Sequence, residues 1–366
     1  MQKGKIMYHK QRQIKKLNSY IPAAEAFRVF SGEKDCVFLD SSLVNDLGRY
    51  SIIGAEPYLK LVRDGDSFLI NGQEETQISF EDYLREYLRD HVDRNESELP
   101  LVSGAVGYFS YDYGRKLQGV PSGEKDLVKI PDAVLTFYDV YIIEDCHKKE
   151  TYLAANGITE DASAKIRKIE QKLWQKPEKK AEQKLPYDIL VTPNFEKEEY
   201  KKAVDDMIHY IIEGDIYITN MTQQLTIESE KPPLDVFYDL RKNNPSPFGG
   251  YMDFGDYQII CASPERFLKM KDRHVNTRPI KGTRKRGATP EEDEMLRQEL
   301  ADSGKDKSEL LMIVDLERND LNRVCTPGSV KVTELFTVEA YATVFHLVSD
   351  LSLIHISEPT RHAQIS

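Results

Sequence analysis

The sequence predicts an α+β fold built on antiparallel sheet, and three observations carry that reading. Between residues 36 and 153 short β-type runs follow one another, among them Cys36-Val-Phe-Leu-Asp-Ser-Ser42 and Ala133-Val-Leu-Thr-Phe-Tyr-Asp-Val-Tyr-Ile-Ile-Glu144. Turn pairs such as Asn71-Gly72 separate them, and an Asn-Gly link between alternating segments is a hairpin signal. Tyr83, Leu84, Tyr87 and Leu88 recur at helical spacing within residues 80–91, so helices are interleaved with the strands without a βαβ repeat.

Further along, residues 159–174 read as a charged helix, and residues 175–186 have almost nothing to bury. That stretch serves as a surface linker, which divides the chain into an N-terminal region (1–157), a charged helix and linker (158–190) and a second region (191–350). In the second region Tyr200, Val204, Met207, Ile208, Ile211 and Ile212 form one apolar helical stripe, expected to lie in the core, with Gly214 closing the helix. A strand over 216–226, a helix through 236–240, the turn Asn244-Pro-Ser-Pro247 and strands at 250–253 and 257–262 follow. Thr289-Pro290-Glu291-Glu292 is a helix start, with cap, first-turn proline and acidic first turn in order.

Composition narrows the function classes. At about 150 residues per domain, 366 residues make two domains or one large one. No apolar run approaches the roughly 18 residues of a membrane span. The net charge of −11 opposes nucleic acid as the main partner, although a small anion can still be held locally. Cys36, Cys146, Cys261 and Cys325 lie far apart with no CxxC pair, which argues against a zinc site and a disulfide framework. The basic N-terminus lacks the apolar segment of a signal peptide, so a reducing cytoplasm is the expected compartment.

Three stretches are rich enough in polar groups to carry chemistry. Residues 277–287 hold five basic residues and two glycines. On composition this is a solvated basic loop, but Pro279 and Gly282 would bend the chain so that Lys281 and Thr283 face one spot, which suits a carboxylate-bearing substrate. Glu265-Arg266 ends a strand-like run and, taken alone, is a surface pair. Glu309 stands at the start of an apolar helix whose acids recur at Asp315, Glu317 and Asp320, a pattern that ordinarily marks a wet helix face. Any metal there would be a hard, oxygen-liganded ion on one or two carboxylates.

The order and spacing of these stretches resemble the chorismate-utilising enzymes, a family that includes anthranilate synthase component I and aminodeoxychorismate synthase component I. The matching motifs of the first half are Gly48-Arg-Tyr-Ser-Ile-Ile-Gly54 and Gly104-Ala-Val-Gly-Tyr-Phe-Ser-Tyr-Asp112. Those of the second half are Gly214-Asp-Ile-Tyr217, Asn244-Pro-Ser-Pro247, Ser263-Pro-Glu-Arg-Phe267, Arg278-Pro-Ile-Lys-Gly-Thr283, Met312-Ile-Val-Asp-Leu316, Arg318-Asn-Asp320 and His346-Leu-Val-Ser349. The resemblance implies large antiparallel sheets packed face to face with helices outside. Lysine at the centre of Pro-Ile-x-Gly-Thr is similar to the aminodeoxychorismate synthases, where anthranilate and isochorismate synthases have alanine. Ile218 stands where water-adding members have a lysine base and many ammonia users a glutamine.

By that resemblance Lys281 is the nucleophile, Glu265 the acid/base carboxylate and His346 an active-site histidine. Thr283 and Gly282 lie against chorismate, and Glu309 holds Mg²⁺. The nucleophile must be a neutral amine, and an unshifted lysine is neutral in only about four parts in ten thousand at pH 7. Arg278 or Arg284, Mg²⁺ and partial burial are expected to favour the neutral form. Ammonia is expected from a separate glutamine amidotransferase subunit. Leu39, Ser41, Pro245 and Ser246 fall where relatives bind tryptophan, with Asp40 replacing their glutamate. Anthranilate synthase is the alternative activity, and a non-catalytic amino-acid-binding relative is a third reading, opposed by the presence of Lys281, Glu265 and Glu309.

The resemblance stops at about Asp350. Residues 351–361 read like an in-frame translation of a sequencing-library adaptor, so residues 351–366 are expected to be a non-native tail. The family's following loop, substrate-binding arginine and second Mg²⁺ carboxylate do not appear. On this reading the 366-residue chain is truncated, inactive and poorly soluble, whereas its parent is active.

Overall fold

The computed structural model describes residues 12–121, 128–175 and 189–354. They belong to two units, Met1–Pro177 with Phe237–Ser366, and Glu178–Val236. The larger unit opens with β1 (Gln13–Lys16), α1 (Ala23–Phe30), β2 (Val37–Asp40), β3 (Tyr50–Asp64), β4 (Ser67–Ile70) and β5 (Gln73–Glu74). It continues through α2 (Phe80–Asp90), β6 (Ala105–Phe109), α3 (Tyr111–Leu117), β7 (Ala133–Asp145), β8 (Glu150–Ala155) and α4 (Ala162–Trp174). The hairpin from β4 to β5 turns on Asn71 and Gly72, both with positive φ (49° and 80°), as an Asn-Gly hairpin requires. Ser79 caps α2 by accepting from the Asp82 N–H, and Phe80 is buried behind it.

The smaller unit holds β9 (Leu190–Pro193), α5 (Lys197–Glu213) and β10 (Leu225–Glu228), and α6 (Pro233–Asn243) begins in it. Gly214 ends α5 in the left-handed conformation. The apolar stripe of α5 is not core: no residue of the helix is buried, and Ile208 and Ile212 are 49% and 77% exposed. Among the described residues of this unit, β9 and β10 form a two-stranded ribbon, and residues 216–224, expected to be strand, form no ladder.

The larger unit resumes with β11 (Phe248–Asp253), β12 (Gln258–Ser263), β13 (Arg266–Lys271), β14 (His274–Arg278) and β15 (Ile280–Lys285). Then come α7 (Pro290–Asp302), α8 (Gly304–Asn322), β16 (Val330–Ala340) and β17 (Val344–Ile354). Every ladder is antiparallel. The first sheet runs β1-β8-β7-β3-β2-β11-β12, with β4, β5 and β6 branching from it. It therefore draws strands from both sides of the charged segment at 158–190, because β2 pairs with β11. Strand β7 is buried almost throughout, with Tyr138, Tyr141 and Ile143 in one apolar cluster and Ala133 and Phe137 in another.

The second sheet runs β13-β14-β17-β15, with β16 also on β17. Leu351–Ile354, at the start of the expected foreign tail, complete β17 and pair with Thr277–His274 of β14. Leu351 and Leu353 are buried, whereas residues 355–366 lie outside the described residues, as does most of the linker. Helices α7 and α8 cover this sheet through Leu300, Leu310, Val314, Phe345, Leu347 and Leu351. Thr289 caps α7 and Pro290 occupies its first turn. Among the described residues no helix is long and apolar enough to cross a membrane.

Candidate active site

The second sheet gathers the polar residues singled out in the sequence. Strands β14 and β15 meet at Pro279, and β15 bulges against β17: Lys281 stands opposite Leu347, whereas Thr283 stands opposite His346. Gly282, at the bulge, has φ +77°, and a Cβ there would lie 2.9 Å from Asp306 and 3.0 Å from Leu300. Only glycine fits without moving α8 or α7. Thr283 Oγ1 and His346 Nδ1 are 3.0 Å apart. Burial lowers the His346 pKa, opposed by the Glu339 charge, the Gly282 carbonyl and the Glu265 charge. Burial thus favours the neutral imidazole. Glu265 Oε1 accepts from the backbone N–H of Ile280 at 3.2 Å, one residue from Lys281. Arg266 is not its partner but donates to Asn276 at 2.9 Å and stands over the Phe248 ring.

The basic cluster is compensated. Arg278 pairs with Glu339, Asp350 (3.2 Å) and Glu334 (3.4 Å), Arg284 with Glu299 (2.7 Å) and Asp306 (3.1 Å), and Arg286 with Asp293 (2.5 Å). Acids from α7, α8, β16 and β17 thus already meet Arg278 and Arg284. Among the described residues the Lys281 side chain itself has no hydrogen-bond or ion-pair partner. Glu309, in the second turn of α8, has Lys305 at 3.9 Å as its ion-pair partner among the described residues. Among the described residues no group of three or more His, Cys, Asp or Glu is placed to hold an ion. One carboxylate fits Mg²⁺ only in its usual water-rich form, with substrate oxygens completing the shell.

Comparison with known proteins settles the family. The family described as chorismate binding enzyme matches residues 42–352. This chain belongs to the chorismate-binding enzymes. It is 32% identical over 351 residues to anthranilate synthase component 1 of Cereibacter sphaeroides, covering 90% of this chain and 70% of that one. It is 34% identical over 316 residues to aminodeoxychorismate synthase component 1 of Bacillus subtilis, covering 83% and 67%. The crystal structure of anthranilate synthase component I from Streptococcus pneumoniae superposes with a TM-score of 0.75 at 29% identity, covering 87% of this chain and 72% of that one. A chorismate-utilising enzyme with an α+β fold of large antiparallel sheets is thereby established.

In this chorismate-binding enzyme two acids of α8 are not on a wet face. Asp306, Leu310, Val314, Glu317 and Leu321 succeed one another at spacings of four, four, three and four, which is one stripe of a helix. Asp306, Leu310 and Val314 are buried, and Glu317 Oε2 is buried without a partner. That spacing was the available signal; the acids at Asp315 and Asp320, off the stripe, are exposed. Burial raises the Glu317 pKa, with help from the Glu265 and Asp320 charges. A carboxyl pushed above its ordinary 4.5 binds its proton more tightly folded than unfolded, so stability falls as pH rises past that value. Glu317→Gln removes this loss: its thermal midpoint exceeds the parent's at pH 7 and matches it near pH 4, as scanning calorimetry at the two pH values will measure.

A second buried polar cluster of the enzyme lies between β2, β11 and the turn before β11. Ser41 Oγ donates to the Tyr50 carbonyl at 2.7 Å, and Ser42 Oγ accepts from the Ser246 N–H at 2.9 Å. Asp40 Oδ2 accepts from Arg241 Nε at 2.9 Å, whereas Asp40 Oδ1 and Ser246 Oγ are buried with no partner among the described residues. Burial raises the Asp40 pKa against the pull of Arg241. Unpaired buried oxygens cost about 1–3 kcal/mol each and mark a place where a polar ligand would be welcome. Leu39 on β2 and Pro245 in the turn belong to the same neighbourhood.

Proposed function

We propose that the enzyme replaces the C4 hydroxyl of chorismate by an amino group, giving 4-amino-4-deoxychorismate for p-aminobenzoate and folate synthesis. The observation that carries this reading is Lys281 on the Gly282 bulge, unpaired among the described residues and next to the Thr283–His346 pair, with Glu265 hydrogen-bonded one residue away. Lys281 Nζ attacks C2 as the C4 hydroxyl leaves. Ammonia then adds at C4, and the lysine departs from C2 with its electron pair returned to nitrogen. Glu265 gives the proton that lets the hydroxyl leave as water and takes one from the incoming amine. Neutral His346 and the Thr283 hydroxyl orient the substrate, with the Gly282 backbone beside it. Mg²⁺ on Glu309, when bound, neutralises the ring carboxylate. Ammonia comes from a glutamine amidotransferase partner, as the family resemblance implies. The Asp40–Ser246 cluster is proposed to take a free amino acid of the tryptophan class.

Chromatography of the products formed from chorismate, ammonium and Mg²⁺ tests the reading. The 366-residue chain and a chimera continuing after Asp350 with the C-terminal part of the Bacillus subtilis relative are assayed together. Aminodeoxychorismate from either supports it, and fluorescent anthranilate replaces it with the alternative. Turnover by the 366-residue chain itself removes the reading of residues 351–366 as a disabling tail. In whichever chain is active, Glu309→Gln raises the Mg²⁺ midpoint about tenfold or more and lowers activity with it. An unchanged Mg²⁺ titration would leave Glu309 as a plain surface acid.

A further inference from the structure

Helix α8 begins its buried stripe with an acid, Asp306, where an apolar residue would be the ordinary choice. A carboxylate in that position costs desolvation unless it is paired. Its partner is Arg284 of β15, at 3.1 Å, and Arg284 is held in turn by Glu299 of α7 at 2.7 Å. The Asp306 N–H donates to Ser303 Oγ at 3.2 Å, which fixes the first turn of the helix. Directly against the Asp306 side chain lies Gly282: the space that a Cβ on β15 would enter is 2.9 Å from both Asp306 Cβ and Asp306 Cγ. The β15–β17 register shifts between Lys281 and Thr283, at that same residue. Glu309 stands three residues beyond Asp306, and residues three apart are neighbours on a helix surface.

We propose that Asp306 is a positioning residue for the reaction. It packs on Gly282 and pairs with Arg284, and so holds the bulge that sets Lys281 and Thr283. Through its own helix it ties that bulge to the turn carrying Glu309. The consequence for chemistry rests on the reading of Lys281 as nucleophile, whereas the mechanical claim is measurable without turnover. An apolar residue could fill the volume over Gly282 but could not hold Arg284, and a longer acid would displace the bulge; aspartate meets both demands.

Amide hydrogen exchange on the full 366-residue chain, read by mass spectrometry, tests this together with pulse acylation of lysines. In Asp306→Ala the amides of residues 280–284 exchange about tenfold faster, those of 274–278 and 330–340 are unchanged, and the acylation rate of Lys281 shifts against that of Lys285. Asp306→Asn, which keeps the shape and an acceptor for Arg284, restores parent behaviour at both. If the alanine variant does not fold, Asp306→Ser, which removes the carboxylate from over Gly282 but keeps a polar group, takes its place. Exchange at 280–284 that does not move, or that rises equally across β14, β16 and β17, overturns the proposal, the second because Asp306 would then be a general stabiliser. Anthranilate in place of aminodeoxychorismate in the product assay would refute the proposed reaction and leave this result standing.

Discussion

Replacing Lys281 by alanine abolishes formation of 4-amino-4-deoxychorismate, by about a thousandfold or more, in whichever chain turns over in the product assay. Removing a covalent nucleophile removes a bond-forming step, which no remaining side chain of the bulge can supply. Thr283 is committed to His346, and Glu265 is an oxygen acid hydrogen-bonded to Ile280. The fold is spared, because among the described residues the Lys281 ammonium has no partner to lose and its strand neighbours pair through backbone. Equilibrium unfolding of the variant therefore stays within about 0.5 kcal/mol of the parent. Lys281→Arg is equally inactive, since a guanidinium does not become neutral near pH 7. Parent-level product from the alanine variant would refute the nucleophile, and a large stability loss would show that Lys281 is structural.

Lys165→Met destabilises the larger unit by about 3–5 kcal/mol, the largest stability change expected of a single substitution here. The Lys165 side chain is 2% exposed and stands 3.3 Å from Asp139, which is fully buried in β7, and 3.2 Å from Glu56. Asp139 also accepts from the Ile158 N–H (3.0 Å), the Thr159 N–H (2.8 Å) and the Thr159 hydroxyl (2.9 Å). These bonds fix the entry to α4 but do not neutralise the charge. Methionine fills the lysine's volume and leaves that carboxylate buried without a cation, so the loss measures the charge and not a cavity. Asp139→Asn in the Lys165→Met background recovers part of it, because an amide keeps the acceptor without the charge. Denaturant unfolding of the two variants measures both effects. A single-variant loss under about 1 kcal/mol would place the Asp139 charge in contact with water after all.

What could be read from the chain alone was what a few adjacent residues decide. The Asn71-Gly72 hairpin, the Gly214 helix end and the Thr289-Pro290 helix start all formed as expected, since each depends on local φ preferences or a side chain reaching its own backbone. The motif order around Lys281, Glu265, Glu309 and His346 likewise placed the family before any coordinates. Whether an element is covered was another matter. The α5 stripe has helical spacing, yet none of it is buried and Ile208, Ile211 and Ile212 are exposed, because coverage depends on what other segments bring to it.

Tertiary structure alone decided where charge is balanced and which acids are buried. Arg278 finds its carboxylates on β16 and β17, from 56 to 72 residues away, so this arginine of the basic loop is ion-paired and not simply solvated. Asp306 and Glu317 carry the same carboxylate as Asp315 and Asp320, yet the first two lie on the stripe of α8 that β15 and β17 cover and the others face solvent. Sequence determined the kinds of group this chorismate-binding enzyme owns and the local bends that present them. Their state is set by desolvation and by partners distant along the chain, quantities that exist only once the strands have paired.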